Sequence, residues 1–184
     1  MKKAGSKYVV VFLIEGKAKQ DHQALSREIS RRFNVADDSK KIAPHITLKH
    51  LGEIQDPAQL QGLEKVLGNF CESEKKFEVN LSGINYFGED TVFIDVELSS
   101  ALKGFYHRLY HELFGLKWMS TNEYEGANIH FHTTLAADDI KKNFKSIYEY
   151  LSDKHPSYTL TFDNVTILKK DKSHWRTHKS YRLK

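Results

Sequence analysis

Cysteine is nearly absent from this chain of 184 residues: Cys71 stands alone, so no internal disulfide can form and no thiolate cluster can hold a metal. A reducing, cytoplasmic setting is the expectation that follows. Proline is scarce, with three, and the ten glycines are scattered, so nothing reads as a linker between domains. No apolar run approaches the roughly 20 residues that a membrane-spanning helix needs, and no membrane partner is expected. Residues 1–3 (Met-Lys-Lys) put positive charge ahead of the apolar stretch 8–14, superficially like a signal peptide. Lys7 interrupts that approach, the stretch is short, and Glu15-Gly16-Lys17 offers no small-residue cleavage site, so 8–14 reads as a strand.

What is present is an ordinary globular composition, 40% apolar, 28% charged and 12% aromatic, which argues against disorder. The length suits one domain of two lobes, expected at about 1–87 and 88–184, in a monomer. The net charge of +4 is unevenly placed. Residues 169–184 carry seven lysines and arginines against Asp171 alone, with Trp175 and Tyr181 interleaved, and the rest of the chain is slightly acidic. Such a strip can meet phosphates and stack on bases, although a solvated strand with lysines for solubility is the commoner origin.

Hydrophobic periodicity repeats one order twice. Strands are expected at 8–14, 42–51 and 77–86, with helices at 18–33 and from the Asp56-Pro57 start. The order restarts with a strand at 91–98, a helix opened by Ser99 or Ser100, a loop at 117–128 and a strand at 129–136. A helix from Asp138 or Asp139, a long alternating strand at 158–168 and a last strand at 175–183 complete the chain. Two similar α+β lobes about a pseudo-twofold axis account for the order, with the middle strands of the two halves facing each other across a cleft.

Those middle strands carry the chemistry. The first contains Pro44-His45-Ile46-Thr47-Leu48 and the second Phe131-His132-Thr133-Thr134-Leu135. Side chains alternate on a strand, so each motif presents an imidazole and a hydroxyl on one face while leucine anchors the other. Two imidazoles can divide general acid and general base roles near neutral pH. Two threonine hydroxyls can donate to phosphoryl oxygens as charge develops. Neither motif supplies a nucleophile poised for peptide hydrolysis, so phosphodiester chemistry fits better. Taken singly the pattern is loose: His155 and His178 also precede a serine at the same spacing. Identity of both motifs and their equivalent placement give them weight.

The stretch Pro44-His45-Ile46-Thr47-Leu48-Lys49-His50-Leu51-Gly52, with His132-Thr133-Thr134-Leu135, resembles the paired signatures of the two-histidine (2H) phosphoesterase superfamily. Its members include 2′-5′ RNA ligase-like proteins and cyclic nucleotide phosphodiesterases. The resemblance spans nearly the whole chain. It implies a bilobal α+β fold, each lobe a mainly antiparallel sheet with helices outside and the active cleft between the sheets. It further implies metal-independent chemistry, without a cofactor, on 2′,3′-cyclic phosphates or 2′-5′ linkages of RNA ends or nucleotides. By match to the motif, His45 and His132 are the acid–base pair, and Thr47 and Thr134 bind phosphate. Asn128-Ile129-His130-Phe131 stands where the RNA ligase-like branch commonly has arginine-proline, the mark of an atypical branch.

His130, two before His132, shares its strand face and can line the cleft, hold substrate or orient His132. A two-imidazole metal site is the weaker reading, since no cysteine or carboxylate shares that face. Lys49 falls on the face of His45 and Thr47, where it can steer a phosphate or simply be solvated; His50 points the opposite way. His107 and His111 read as a solvated helical surface. Trp118, Tyr124, Trp175 and Tyr181 are candidates for base stacking or for ordinary partial burial. The rival to an enzyme is a module that keeps the cleft and binds an RNA end or nucleotide through the basic strip, without catalysis.

Overall fold

The computed structural model describes residues 5–184, and the basic residues 1–3 lie outside that range. β1 (Ser6–Leu13) is buried on both faces from Tyr8 to Phe12, which explains its unbroken β-branched and aromatic run. Gly16 turns the chain with φ at +66°, a conformation open to glycine, and α1 (Gly16–Phe33) follows. A single turn, α2 (Asp38–Lys41), which periodicity did not suggest, leads into β2 (His45–Ile54). The Asp56 carboxylate accepts the Ala58 N–H at 2.8 Å and Pro57 takes the first helical position, opening α3 (Pro57–Ser73). β3 (Phe77–Phe87) and β4 (Thr91–Val96) form a hairpin. The Ser99 hydroxyl caps α4 (Ser100–Phe114) by accepting the Leu102 N–H at 3.1 Å. β5 (His132–Ala137), α5 (Phe144–Ser152), β6 (Ser157–Phe162), β7 (Asn164–Asp171) and β8 (His174–Arg182) complete the chain.

The strands form two four-stranded antiparallel sheets, in the orders β2-β1-β7-β8 and β5-β4-β3-β6. The α+β, two-lobed architecture is therefore as expected, and the two orders correspond strand for strand. The expected division at residues 87/88 does not follow the sheets. β3, from the first half, pairs with β4 and β6 in the second sheet, while β7 and β8, from the second half, complete the first. The stretch at 158–168 is two strands rather than one: the chain leaves one sheet after Phe162, passes Asp163, and enters the other at Asn164. The alternation of Tyr158, Leu160 and Phe162 changes phase at Asp163-Asn164 before Val165 and Ile167, the one local trace of the crossing. The strand expected from 129 begins at His132, and the helix expected from 138 begins at Phe144 after a short 3-10 turn.

One apolar core joins the lobes. Phe12 of β1 stacks on Phe162 of β6 at 4.3 Å, and Phe162 stacks in turn on Phe77 of β3 at 4.8 Å. Offset rings at such spacings contribute beyond their buried area. On the other face of the first sheet, Val9, Val11 and Leu168 form a small separate cluster against which Trp175 packs.

Both motif strands, β2 and β5, are edge strands, and they lie against each other. Exposed edges invite foreign pairing. Here each edge is tied to the other half of the chain. The His50 N–H donates to Glu125 Oε1 at 3.1 Å, and the Ala137 N–H donates to Asp38 Oδ2 at 2.9 Å. His50 and Ala137 occupy the same position relative to His45 and His132. In addition, Ser26 of α1 donates to the Leu135 carbonyl, which fastens α1 to the back of β5.

Candidate active site

A β-bulge lies immediately after each histidine–threonine pair. In β2, Val11 pairs with Thr47 and Val10 with Lys49, leaving Leu48 as the extra residue. In β5, Phe93 pairs with Thr134 and Val92 with Ala136, leaving Leu135 extra. A bulge resets side-chain alternation. His45 and Thr47 accordingly share the face of Leu13 and Val11, and His132 and Thr134 share that of Asp95 and Phe93. Leu48 and Leu135 are fully buried in the core behind.

The reset relocates two residues. Lys49 now pairs with core-facing Val10, and His50, not Lys49, returns to the face of the motif. Lys49 is 1% exposed, and its ammonium donates to Glu125 Oε2 at 2.5 Å, the Ser120 carbonyl at 2.6 Å and the His50 carbonyl at 3.1 Å. All three of its protons are thus engaged. The expectation that Lys49 steers a phosphate is corrected: it is a buried anchor for the loop at 117–128. His50 lines the cavity beside Thr47, and burial lowers its pKa.

The two motif histidines are held alike. His45 Nδ1 lies 2.8 Å from the Ala43 carbonyl and His132 Nδ1 lies 2.8 Å from the His130 carbonyl, in each case two residues upstream. A carbonyl only accepts, so each Nδ1 carries the proton and each Nε2 is left for chemistry. Burial pushes the His45 pKa down to about 4, with the nearby positive charge of His132 lowering it further and the Ala43 carbonyl opposing. Burial also lowers His132, whereas the carboxylate of Asp95 pulls its pKa back up. Asp95 is directly opposite His132 on β4; it accepts from His130 Nε2 at 2.5 Å and from the Asn85 amide at 2.8 Å.

The motif groups line two adjoining cavities that share Thr134 and Ala137. The larger, about 590 Å³, contains Thr47, His50, His130 and His132 with Phe87 and Tyr124. Phe87, 41% exposed, meets the His132 ring edge-on at 4.9 Å. The smaller, about 270 Å³, contains His45 with Lys41, Lys170, Trp175 and the buried His22. The structure thus brings His45, Thr47, His132, Thr134 and His130 around one cleft; Lys49 borders it too, with its ammonium spent on Glu125, Ser120 and His50.

Of the four aromatic candidates, Tyr124 (73% exposed) and Trp175 reach these cavities, whereas Trp118 and Tyr181 pack against the core. The basic strip is partly compensated: Lys179 pairs with Glu64, Arg182 with Asp163 and Glu15, and Arg176 with Asp171. Among the described residues no three His, Cys, Asp or Glu side chains converge as a metal site requires. Sequence reasoning missed Asp95, Glu125, Phe87 and His22. Asp95 had a signal, being the one charge within the apolar run from Thr91 to Val96. The other three are placed by long-range packing that no local pattern announces.

An α+β cleft flanked by two equivalent imidazole–hydroxyl strands defines a two-histidine phosphoesterase-type protein. The chain belongs to the 2′-5′ RNA ligase superfamily, which it matches over residues 9–174. No curated protein matches it in sequence. Its fold is similar to that of Escherichia coli LigT, with a TM-score of 0.67, 13% identity, and 98% of this chain and 99% of that one covered. TT0787 of Thermus thermophilus is similar with a TM-score of 0.61, 14% identity, and 96% and 97% coverage. Kluyveromyces marxianus Usb1 is more distant, with a TM-score of 0.51, 12% identity, and 96% and 97% coverage.

Proposed function

We propose that the cleft is a phosphoesterase site acting without metal or cofactor on 2′,3′-cyclic phosphate or 2′-5′ phosphodiester groups of RNA ends or nucleotides. The observation that carries this reading is the matched tethering of His45 and His132 through Nδ1, which frees both Nε2 atoms for proton transfer. A phosphodiester exchange needs one proton removed from the attacking oxygen and one delivered to the leaving oxygen. Two imidazoles supply both, and no protein nucleophile takes part.

The charge asymmetry favours one assignment. His45, whose pKa is pushed down to about 4, is neutral at rest and suits the base. Burial lowers His132 as well, but the His130 carbonyl and the Asp95 carboxylate oppose that fall, and His132 suits the acid. In cyclic phosphate opening, His45 Nε2 takes the proton of a water whose oxygen attacks phosphorus. The bond from phosphorus to one ribose oxygen breaks, and His132 Nε2 gives that oxygen its proton. The Thr47 and Thr134 hydroxyls donate to the non-bridging oxygens, where negative charge accumulates. Phe87 and Tyr124 offer faces on which a base can lie. Structures of E. coli LigT complexed with 3′-AMP and with phosphate support a nucleotide and a phosphate as ligands for a cleft of this fold.

The test is turnover of 2′,3′-cyclic phosphates in EDTA. His45→Ala and His132→Ala should each reduce kcat about 10²- to 10⁴-fold with the fold intact. An ester with a good leaving group should restore activity to His132→Ala, which lacks the acid, and not to His45→Ala. Near wild-type turnover by both variants refutes the proposal. Salt-dependent RNA binding with no turnover across a substrate panel would establish the non-catalytic binding module instead.

A further inference from the structure

Phosphate chemistry at the four motif groups occupies the larger cavity and the His45–Thr134 end of the smaller one, and leaves the outer part of the smaller one without a task. That smaller cavity begins at His45 and Thr134 and runs outward to Lys170 and Trp175. Past Trp175 it continues into a second groove of about 280 Å³, flanked by Lys19, Lys40 and Arg176, with Lys41, Ile42 and Ala43 common to both. A track of cationic side chains therefore leads away from the reaction centre on the side opposite Phe87 and Tyr124.

Trp175 is the wall between the two stretches of the track. Part of its ring is fixed against Val9, Val11 and Leu168, and part is open to solvent. A rigid, half-exposed indole is a stacking platform that accepts any base. The Lys170 ammonium stands 5.9 Å from its ring centroid and has no carboxylate partner among the described residues. The neighbouring cations are compensated: Lys41 pairs with Asp38 at 2.7 Å, Lys40 with Asp37 at 3.6 Å and Arg176 with Asp171 at 3.3 Å. Asp138 also borders the cavity. Lys170 is thus an unpaired positive charge beside Trp175, where a phosphate would sit next to a stacked base.

The geometry points to a second nucleotide subsite at Trp175 and Lys170, which makes the substrate the end of an RNA strand rather than a free mononucleotide. The inference rests on the phosphoesterase reading above. With the terminal ribose phosphate held by the motif groups and its base toward Phe87, the preceding nucleotide leaves past His45. Its base stacks on Trp175, its phosphate meets Lys170, and the strand continues toward Lys19.

The experiment compares kcat/KM for a mononucleotide, a dinucleotide and a tetranucleotide, each ending in the same 2′,3′-cyclic phosphate. The wild-type protein should prefer the tetranucleotide to the mononucleotide at least roughly tenfold, the size of one stacking contact. Trp175→Ala should remove most of that ratio. Lys170→Glu should lower it too and flatten its dependence on salt by about one phosphate contact. Both positions are at the surface, so the variants should fold. Equal rates on mononucleotide and tetranucleotide, or a preference that survives both substitutions, overturn the subsite and leave the phosphoesterase reading standing. Fluorescence anisotropy with a tetranucleotide ending in a 3′-phosphate reads the subsite without catalysis. If nothing is turned over but this ligand binds through Trp175 and Lys170, the reaction is refuted and the subsite is upheld; if it binds no better than a mononucleotide, the subsite is refuted as well.

Discussion

Removing the Lys49 ammonium should damage stability, not phosphate binding. In Lys49→Met the Glu125 carboxylate, 3% exposed at its side chain, loses a partner 2.5 Å away. Two backbone N–H donors remain, from His50 at 3.1 Å and Asn122 at 3.4 Å, too few and too long to replace a buried cation. Stranding one member of a buried pair costs about 3–5 kcal/mol. In a chain of this size that corresponds to a fall in Tm of roughly 10 °C. Lys49→Met/Glu125→Gln should recover part of the loss, because the neutral amide no longer needs a counter-charge and can still accept the His50 N–H. Thermal and urea unfolding of the three proteins, beside kcat/KM on a cyclic phosphate, measure both quantities. Unchanged melting with a raised KM for Lys49→Met would refute the reasoning and return Lys49 to the phosphate.

Two further outcomes follow from the histidines. The pH profile of kcat/KM should be a bell displaced to the acid side: activity rises as His45 loses its proton near pH 4 and falls as His132 loses its own below the ordinary value of 6.5. A maximum above pH 7 would contradict the assignment. His22, 4% exposed and likewise pushed down to about 4 by burial, should make the fold acid-sensitive. Its folded pKa lies below the unfolded one, so stability is complete above about pH 6.5 and is lost as pH falls toward 4, by roughly 3 kcal/mol in all. His22→Gln should flatten that slope in urea titrations at several pH values; parallel loss in both proteins would refute it.

Local pattern made the alternation of strands and helices legible, together with the helix starts at Asp56 and Ser99 and the twin motifs themselves. These depend on spacing and capping within a few residues. The interleaving of the sheets was not legible, because it is a choice of partner strand, and the sequence of β7 carries no mark of which sheet it joins. Lys49 was misplaced for a related reason. Strict alternation puts it beside Thr47, and the bulge at Leu48 that turns it inward is set by pairing with β1. Its acceptor, Glu125, is 76 residues away. Asp95 illustrates an intermediate case: its charge stood out in an apolar strand, but its position opposite His132 emerges only from the register of β4 and β5.

The exchange of strands between the halves bears on what a broken chain could do. A nick in the turn between Phe87 and Thr91 would leave one fragment with β1, β2 and β3 and the other with β4 to β8. Neither would own a finished sheet, and each would carry a single histidine motif. Co-expressed, the pieces have reason to seek each other, since every edge left bare by the cut is the one its counterpart fits. Such a split pair would be silent apart and competent together.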